Sequence, residues 1–445
     1  MTTQIDEAGR LAFPPGIVDR FGLRPGAPVE IEEEAGNLRL RRPVTHLAKL
    51  YIEPTLRCNL ACRTCVRNAW DLRPGGDMTD ATFAAVIAGL RNFPLSALGA
   101  GTLPPPPYGR GLPTVFFGGF GEPLSHPGIV EMVAEVRALG CMVELITNGV
   151  LLTEQMSRQL IAAGLDRLWV SLDGARPESY ADVRLGAALP AVLANVGRFS
   201  DLCPGLRPRR PEIGIAFVAM RRNIADLPQV LDLGGRLGAS RFMVTNLLPY
   251  TPEMRSEILY GRALSDITYL PSPWTPYVDL PKLDVDENTA PVLYQVMRSQ
   301  RNIGLMGHNL GDANNRCPFI DAGAAAIGWD GGLSPCLPLL HDHISYLNDR
   351  ERRSRRFVVG YLAAGKDTPA RTAKPGRAVH KQSLADLWYA PEHMAFRRRV
   401  RAFDFSPCTF CGGCDYSLAN EEDCFGNVFP TCGGCLWAQG VIRCP

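Results

Sequence analysis

From about residue 48 to residue 250 the chain alternates short apolar runs with longer amphipathic ones. The runs are Leu50–Glu53, Thr114–Phe117, Val143–Ile146, Leu168–Leu172, Ile213–Ala219 and Phe242–Thr245. Between them, Ile129–Leu139, Thr153–Ala163 and Ile224–Leu237 carry apolar residues at helical spacing. Strands apolar on both faces and separated by helices predict a parallel α/β sheet covered on both sides. Six such units predict a partial (β/α)6 barrel over residues 48–250. Residues 94–113 include four successive prolines, 104 to 107, which suit neither a helix interior nor a central strand. That stretch is expected as a surface insertion between the first helix and the second strand.

The flanks follow other patterns. In residues 1–44, Asp6 to Phe13 reads as a turn and short strand, and Pro14-Pro15 opens a short helix ending near Phe21. Turn chemistry at Leu23 to Gly26 precedes a strand at Val29 to Glu32, and Gly36-Asn37 turns the chain into Leu38 to Leu40. Weak periodicity and many prolines make 251–310 a bridging region that lines a substrate cavity. The arginines at 350, 352, 353, 355 and 356 are expected in a solvated, mobile loop.

Composition narrows the class. At 445 residues there is room for two or three domains, and 46% hydrophobic with 21% charged residues is ordinary for a soluble globular protein. A net charge of +2 points to neither a polyanion nor a membrane surface as partner. With no signal-like start and no apolar run of membrane-spanning length, a cytoplasmic location is expected. Fourteen cysteines in a reducing compartment then argue for metal or cluster ligation rather than disulfides.

Three of those thiols, Cys58, Cys62 and Cys65, follow directly on the first strand. A 4Fe–4S cube normally takes four thiolates, and the next cysteine is Cys141, so this loop leaves one iron open. A zinc or disulfide knuckle on the same residues is the alternative. The CxxxCxxC spacing resembles the signature of the radical S-adenosylmethionine (SAM) enzymes. That resemblance implies the barrel fold, a 4Fe–4S cluster, SAM bound at the open iron, and reductive cleavage of SAM to a 5′-deoxyadenosyl radical. It makes Cys58, Cys62 and Cys65 the catalytic and cluster-binding set.

Ligands in parallel α/β folds sit at the carboxyl ends of strands. There stand Gly118-Gly119-Phe120-Gly121-Glu122-Pro123, Thr147-Asn148-Gly149 and Ser171-Leu172-Asp173-Gly174. Each is also an ordinary turn composition. The first resembles the family's GGEP motif with one residue more. By that resemblance Gly119, Gly121 and Glu122 bind the amino group of SAM. Asn148, Ser171 and Asp173 belong to the same pocket, with Ser171 and Asp173 near the ribose or carboxylate. Arg184 pairs with the carboxylate, or else makes a surface salt bridge. Cys141 and Cys203 read as small buried apolar residues.

The C-terminal end is rich in cysteine: Cys317, Cys336, Cys408, Cys411, Cys414, Cys424, Cys432, Cys435 and Cys444. Nine thiols suffice for two fully ligated 4Fe–4S clusters with one left over, and a tetrathiolate zinc site is the alternative. Residues 311–445 resemble a SPASM domain, which implies two auxiliary 4Fe–4S clusters. Cys414 and Cys424 depart from the usual spacing, so the partition of ligands stays open. The stretches Arg397–Cys408, Asn420–Asn427 and Cys432–Gly440 are similar to the maturases of tungsten-cofactor oxidoreductases. Residues 1–44 resemble the AbrB (SpoVT-type) swapped-hairpin module. Glu30, Glu32, Glu33 and Glu34 argue against nucleic acid there and for docking or a dimer.

The expectation is a radical SAM/SPASM maturase that abstracts hydrogen from a protein, peptide or cofactor, with a tungsten-containing aldehyde ferredoxin oxidoreductase as target. The resemblance also implies a reducing ferredoxin or flavodoxin. Two rivals stand: a ribosomal-peptide maturase, and an iron–sulfur redox sensor whose residues 1–44 bind DNA.

Overall fold

Six parallel strands carry the architecture: β1 (Lys49–Ile52), β2 (Thr114–Phe117), β3 (Val143–Thr147), β4 (Arg167–Ser171), β5 (Glu212–Ala219) and β6 (Arg241–Asn246). The computed structural model describes residues 7, 11–13, 29–34, 37–69, 76–93, 112–203, 211–261, 277–281, 283–297, 302–305, 308–309, 315–347, 350–362, 382–405 and 432–445. All six expected strands are present, and each boundary lies within one residue of the expected one.

Alternation along these strands separates two cores. Leu50, Ile52, Val115, Phe117, Val143, Leu145, Leu168 and Val170 pack in the large core that also takes in the helix residues Val86, Leu90, Val133, Val136 and Leu160. Their neighbours Tyr51, Phe116 and Trp169 form a second core with Phe319, Leu337 and Leu340. Each fully buried Leu, Val or Phe is worth about 1.5–3 kcal/mol against exposure, so the outer core dominates stability. Thr79 and Thr153 cap the helices Asp80–Arg91 and Glu154–Ala162 by accepting from Thr82 N and Met156 N. The expected helix Ile224–Leu237 opens instead as a 3-10 turn, Ile224–Asp226, and becomes α-helical at Leu227–Arg236. Pro228 has no N–H to donate and fits only the first turn.

The sheet is wider than six strands. Ala324–Ile327 pairs parallel to β1, and Gly332–Ser334 and Gly360–Tyr361 continue antiparallel, giving nine strands in one sheet. The hairpin-like stretch of the cysteine-rich end is thus stitched to the barrel's first edge. Helices Leu384–Trp388 and Pro391–Ala402 hold the segment entering β1: Trp388 Nε1 donates to Thr45 O at 2.8 Å, and Arg397 Nε to Val44 O at 2.9 Å. The Arg397 guanidinium stacks 3.6 Å over the Trp388 ring.

The amino end of the barrel is a charged floor. Arg167 pairs with Glu144 and, at 2.9 Å, with Glu212; Arg241 Nε lies 3.0 Å from Glu212 and Lys49 Nζ 3.5 Å from Glu144. The arginine run expected as a solvated loop is ordered through residue 362. Arg350–Ser354 pairs antiparallel with His343–Leu347, Arg352 Nη2 donates to Gly434 O at 2.7 Å, and Arg356 pairs with Asp330. Gly434 and Asp330 come from other segments, which a local charge count does not register. In the bridging region, Tyr277–Leu280 and Asn302–Leu305 pair in parallel around the helix Thr289–Met297.

Of the N-terminal stretch, the hairpin Glu30–Glu34 with Asn37–Arg41 forms in the expected place, with Glu30 opposite Arg41 and Glu32 opposite Arg39. Glu30 also accepts from Arg401 Nη1 at 2.7 Å. The expected helix after Pro14-Pro15 and the proline-rich insertion, but for its last two residues, lie outside the described residues.

Candidate active site

The loop leaving β1 brings Cys58, Cys62 and Cys65 to the carboxyl ends of the strands. All three are free, Cys62 buried and the others half-buried. The loop is tied down on both sides. Ala61 N donates to Leu185 O at 3.2 Å and Arg63 N to Val183 O at 3.1 Å, while Thr55 Oγ1 and Arg57 Nε both reach Asp77. Burial pushes the Cys65 thiol up, and charge on Cys62 or Cys58 pushes it further. Burial also raises Cys58, with Glu122 and Cys62 adding to it. Three free thiols on one loop are soft donors suited to a shared cluster.

The turn after β2 presses against this loop. Glu122 N donates to Arg57 O at 2.8 Å. A Cβ on Gly121 would lie 2.1 Å from Thr55 O, and one on Gly119, whose φ is +150°, would lie 2.8 Å from the Glu53 side chain. At Gly121 a side chain would have to move backbone, and at Gly119 it would displace Glu53 and strain a positive φ. Glu122 is buried, and its carboxylate braces the next strand end. Its Oε1 accepts from Leu124 N at 3.2 Å and from Thr147 Oγ1 at 2.7 Å, and its Oε2 from Asn148 N at 2.8 Å. Burial raises its carboxyl, against those donors. Thus Glu122 positions Asn148, whose Nδ2 donates to Asn59 Oδ1 at 2.8 Å and lies 3.9 Å from Cys58 Sγ.

Ser171 closes β4 half-buried, and Asp173 just beyond it is fully buried. Asp173 Oδ1 accepts from Val218 N at 2.8 Å, and Oδ2 from Arg184 Nε at 2.7 Å and Nη2 at 2.6 Å. Arg184 is held inside the site rather than in a surface salt bridge, its Nη1 4.0 Å from Cys62 Sγ. Asp173 is thus the buried counter-ion of Arg184.

Two residues of this region escaped sequence reasoning. Glu53, fully buried, accepts from Phe120 N at 3.0 Å, and its other oxygen lies 2.7 Å from His341 Nε2. The signal was present in part: a carboxylate ends the apolar run Leu50-Tyr51-Ile52. His341 comes from the cysteine-rich end, nearly three hundred residues away, and no spacing links the two.

In that end, Cys317, Cys336, Cys432 and Cys435 line one cavity with His343 and Arg352. Burial drives the Cys317 thiol to about 12, and raises Cys336 and Cys432 well above the ordinary range, with charge on the neighbouring thiols adding in each case. Cys444 packs on the same core as Cys317 and Cys336 without lining the cavity, and its Sγ accepts from Trp437 Nε1 at 3.2 Å. Cys408, Cys411, Cys414 and Cys424 lie outside the described residues. Among the described residues no three His, Cys, Asp or Glu side chains are drawn together around a single metal ion. A multi-iron cluster spans more than the single-ion geometry of a zinc knuckle. Cys141 and Cys203 are buried in the outer core, as expected. No helix among the described residues is long and apolar enough to cross a membrane.

Comparison with known proteins agrees with this geometry. Residues 52–208 match the radical SAM superfamily. Over 400 residues, 89% of this chain and 96% of the relative, the chain is 29% identical to the tungsten-containing aldehyde ferredoxin oxidoreductase cofactor-modifying protein of Pyrococcus furiosus. It is 28% identical to the PqqA peptide cyclase of Gluconobacter oxydans over 47% of this chain and 50% of that protein. In fold it is similar to Streptococcus suis SuiB bound to S-adenosylmethionine, with a TM-score of 0.50 at 14% identity over 87% of this chain and 77% of that one. The superfamily carries a 4Fe–4S cluster and uses SAM, and three thiols on one loop suit such a cluster with one iron left for SAM. Residues 52–208 thus match a radical SAM domain, and the chain is an enzyme.

Proposed function

We propose that this enzyme matures a tungsten-containing aldehyde ferredoxin oxidoreductase, acting on its polypeptide or its cofactor. The observation that carries the reading is a likeness running along 89% of the chain to a protein named for modifying that oxidoreductase's cofactor. Cys58, Cys62 and Cys65 hold the cluster. When bound, it supplies the electron that cleaves SAM to methionine and a 5′-deoxyadenosyl radical. The chain's own residues prepare that event. Gly119 and Gly121 let backbone approach SAM, Glu122 fixes the strand end carrying Asn148, and Asp173 holds Arg184 toward the cysteine loop. The buried surroundings exclude water from the radical.

The four thiols of the C-terminal cavity suit one auxiliary cluster, fully ligated by Cys317, Cys336, Cys432 and Cys435. Such a cluster carries electrons and leaves no iron for substrate. Cys408, Cys411, Cys414, Cys424 and Cys444 then offer the thiols for the second. On this reading 48–250 is the barrel, 311–445 the cluster domain, 251–310 a substrate-lining bridge, and 1–44 a docking or dimerisation module in the cytoplasm. A ferredoxin or flavodoxin is the reductant. The peptide-maturase reading draws on the likeness to PqqA peptide cyclase, which covers half of each chain. A radical SAM domain leaves the DNA-binding sensor without support.

The test has two arms. Anaerobically reconstituted protein given dithionite and SAM is expected to form 5′-deoxyadenosine, and none from a well-loaded protein overturns the mechanism. A tungsten oxidoreductase purified with and without this enzyme is expected to differ in cofactor or peptide mass, and identical masses overturn the target.

A further inference from the structure

Arg184 presents a guanidinium to the cysteine loop, and its own counter-ion sits on the far side. Nη1 lies 4.0 Å from Cys62 Sγ, whereas Nε and Nη2 contact Asp173 Oδ2 at 2.7 and 2.6 Å. Asp173 is wholly buried and Arg184 nearly so, with 13% of its side chain exposed, so neither charge is screened by water. The fork is rigid on both sides. Val218 N fixes Asp173 Oδ1, and Arg184 caps the helix Pro177–Val183, its N–H donating to Tyr180 O. Reducing a cluster adds a negative charge, and charge and hydrogen bonds at its sulfurs set its potential.

We propose that the Arg184–Asp173 pair sets the reduction potential of the cluster on Cys58, Cys62 and Cys65, a role that rests on Cys62 being one of its ligands. Arg184 favours the reduced state from 4.0 Å, and Asp173, farther back, offsets part of that effect. The two members of one ion pair therefore act with opposite signs. A purely structural role for the pair predicts no such opposition, since losing either partner loosens the same contact.

The experiment is a potentiometric titration followed by electron paramagnetic resonance, without SAM, on the full-length anaerobically reconstituted protein. The signal belonging to this cluster is the one that changes when SAM is added afterwards. Arg184→Gln is expected to move the midpoint down, so that at a fixed potential the reduced-to-oxidised ratio falls about tenfold, which is 59 mV for one electron. Asp173→Asn, which keeps an acceptor for Val218 N, is expected to move it up. The double variant falls between the two single variants, below wild type, and Arg184→Lys, which keeps the charge, stays near wild type. Shifts of the same sign, or unmoved midpoints in loaded variants, overturn the proposal. Where Arg184→Gln loads no cluster, Asp173→Asn decides alone. A wild-type protein with no SAM-sensitive cluster signal would instead sink the ligand assignment.

Discussion

The two ends of the barrel are built from the same strands and differ in what they leave open. At the amino end, Lys49, Glu144, Arg167, Glu212 and Arg241 alternate in sign along one line of ion pairs, each carboxylate held between two cations. At the carboxyl end, Asn148 and Arg184 reach Cys58 and Cys62 of the cysteine loop, with their own supports behind them. The floor consumes its polar groups in holding strands together, whereas the mouth holds them in position for something else. Parallel barrels generally divide stability and chemistry this way. The contrast predicts that substitutions at one end should leave the other end's property alone.

The largest effect is expected at the mouth. Replacing Cys58, Cys62 and Cys65 together by Ala should abolish 5′-deoxyadenosine formation and remove about four irons per chain. Unfolding of the iron-free protein should shift by no more than about 1 kcal/mol, since small side chains are lost from a loop tied down by its backbone. A large loss of stability would blur the division between the two ends.

The mirror-image experiment is at the floor. Arg167→Met leaves Glu144 and Glu212 without the cation between them and should cost about 3–5 kcal/mol of stability. SAM cleavage per cluster-loaded molecule should stay at the wild-type level. Chemical denaturation and a deoxyadenosine assay on the same preparation read both. Gly121→Ala tests the mouth more gently. The new methyl would meet Thr55 O at 2.1 Å, so the turn carrying Glu122 must move, at about 1–3 kcal/mol. Unlike Arg167→Met, it should lower SAM cleavage more than it lowers stability.

Legibility in the sequence divides along the same line. The mouth is written in contiguous motifs: CxxxCxxC, GGFGEP and the turns after β3 and β4 each sit within ten residues, so their resemblance to a known family is visible in the sequence. The parallel strands were equally plain, because apolar runs such as Thr114–Phe117 leave no polar face. The floor takes one residue from each of five strands, at or next to its start. Nothing local marks Lys49 as a neighbour of Glu144. Glu53 with His341 and the basin of Cys317, Cys336, Cys432 and Cys435 were hidden likewise, since tertiary folding alone brings their segments together. Arg184 shows the limit inside a recognised motif. Its type suggested a carboxylate partner, and the structure supplied Asp173 as one from the chain itself.

The smallest effect expected is a pH dependence confined to the floor. Burial alone would raise the Glu212 carboxyl, but hydrogen bonds from Arg241 and Arg167 outweigh it and hold the group below the ordinary glutamate value. A carboxyl lowered on folding lends stability above its unfolded value of about 4.3, and that stability is lost as pH falls through the lower folded value. Wild type should therefore lose stability along an acid limb beginning near that pH. Glu212→Gln, which keeps the shape and removes the titration, should flatten the limb while lowering stability at neutral pH. The side chain is one-fifth exposed, and solvent screens part of the pairing, so the change in slope should be modest. Denaturant midpoints compared between pH 3 and 7 would read it. An acid limb of unchanged slope would show that the floor's ion pairs are not what couples this end of the barrel to pH.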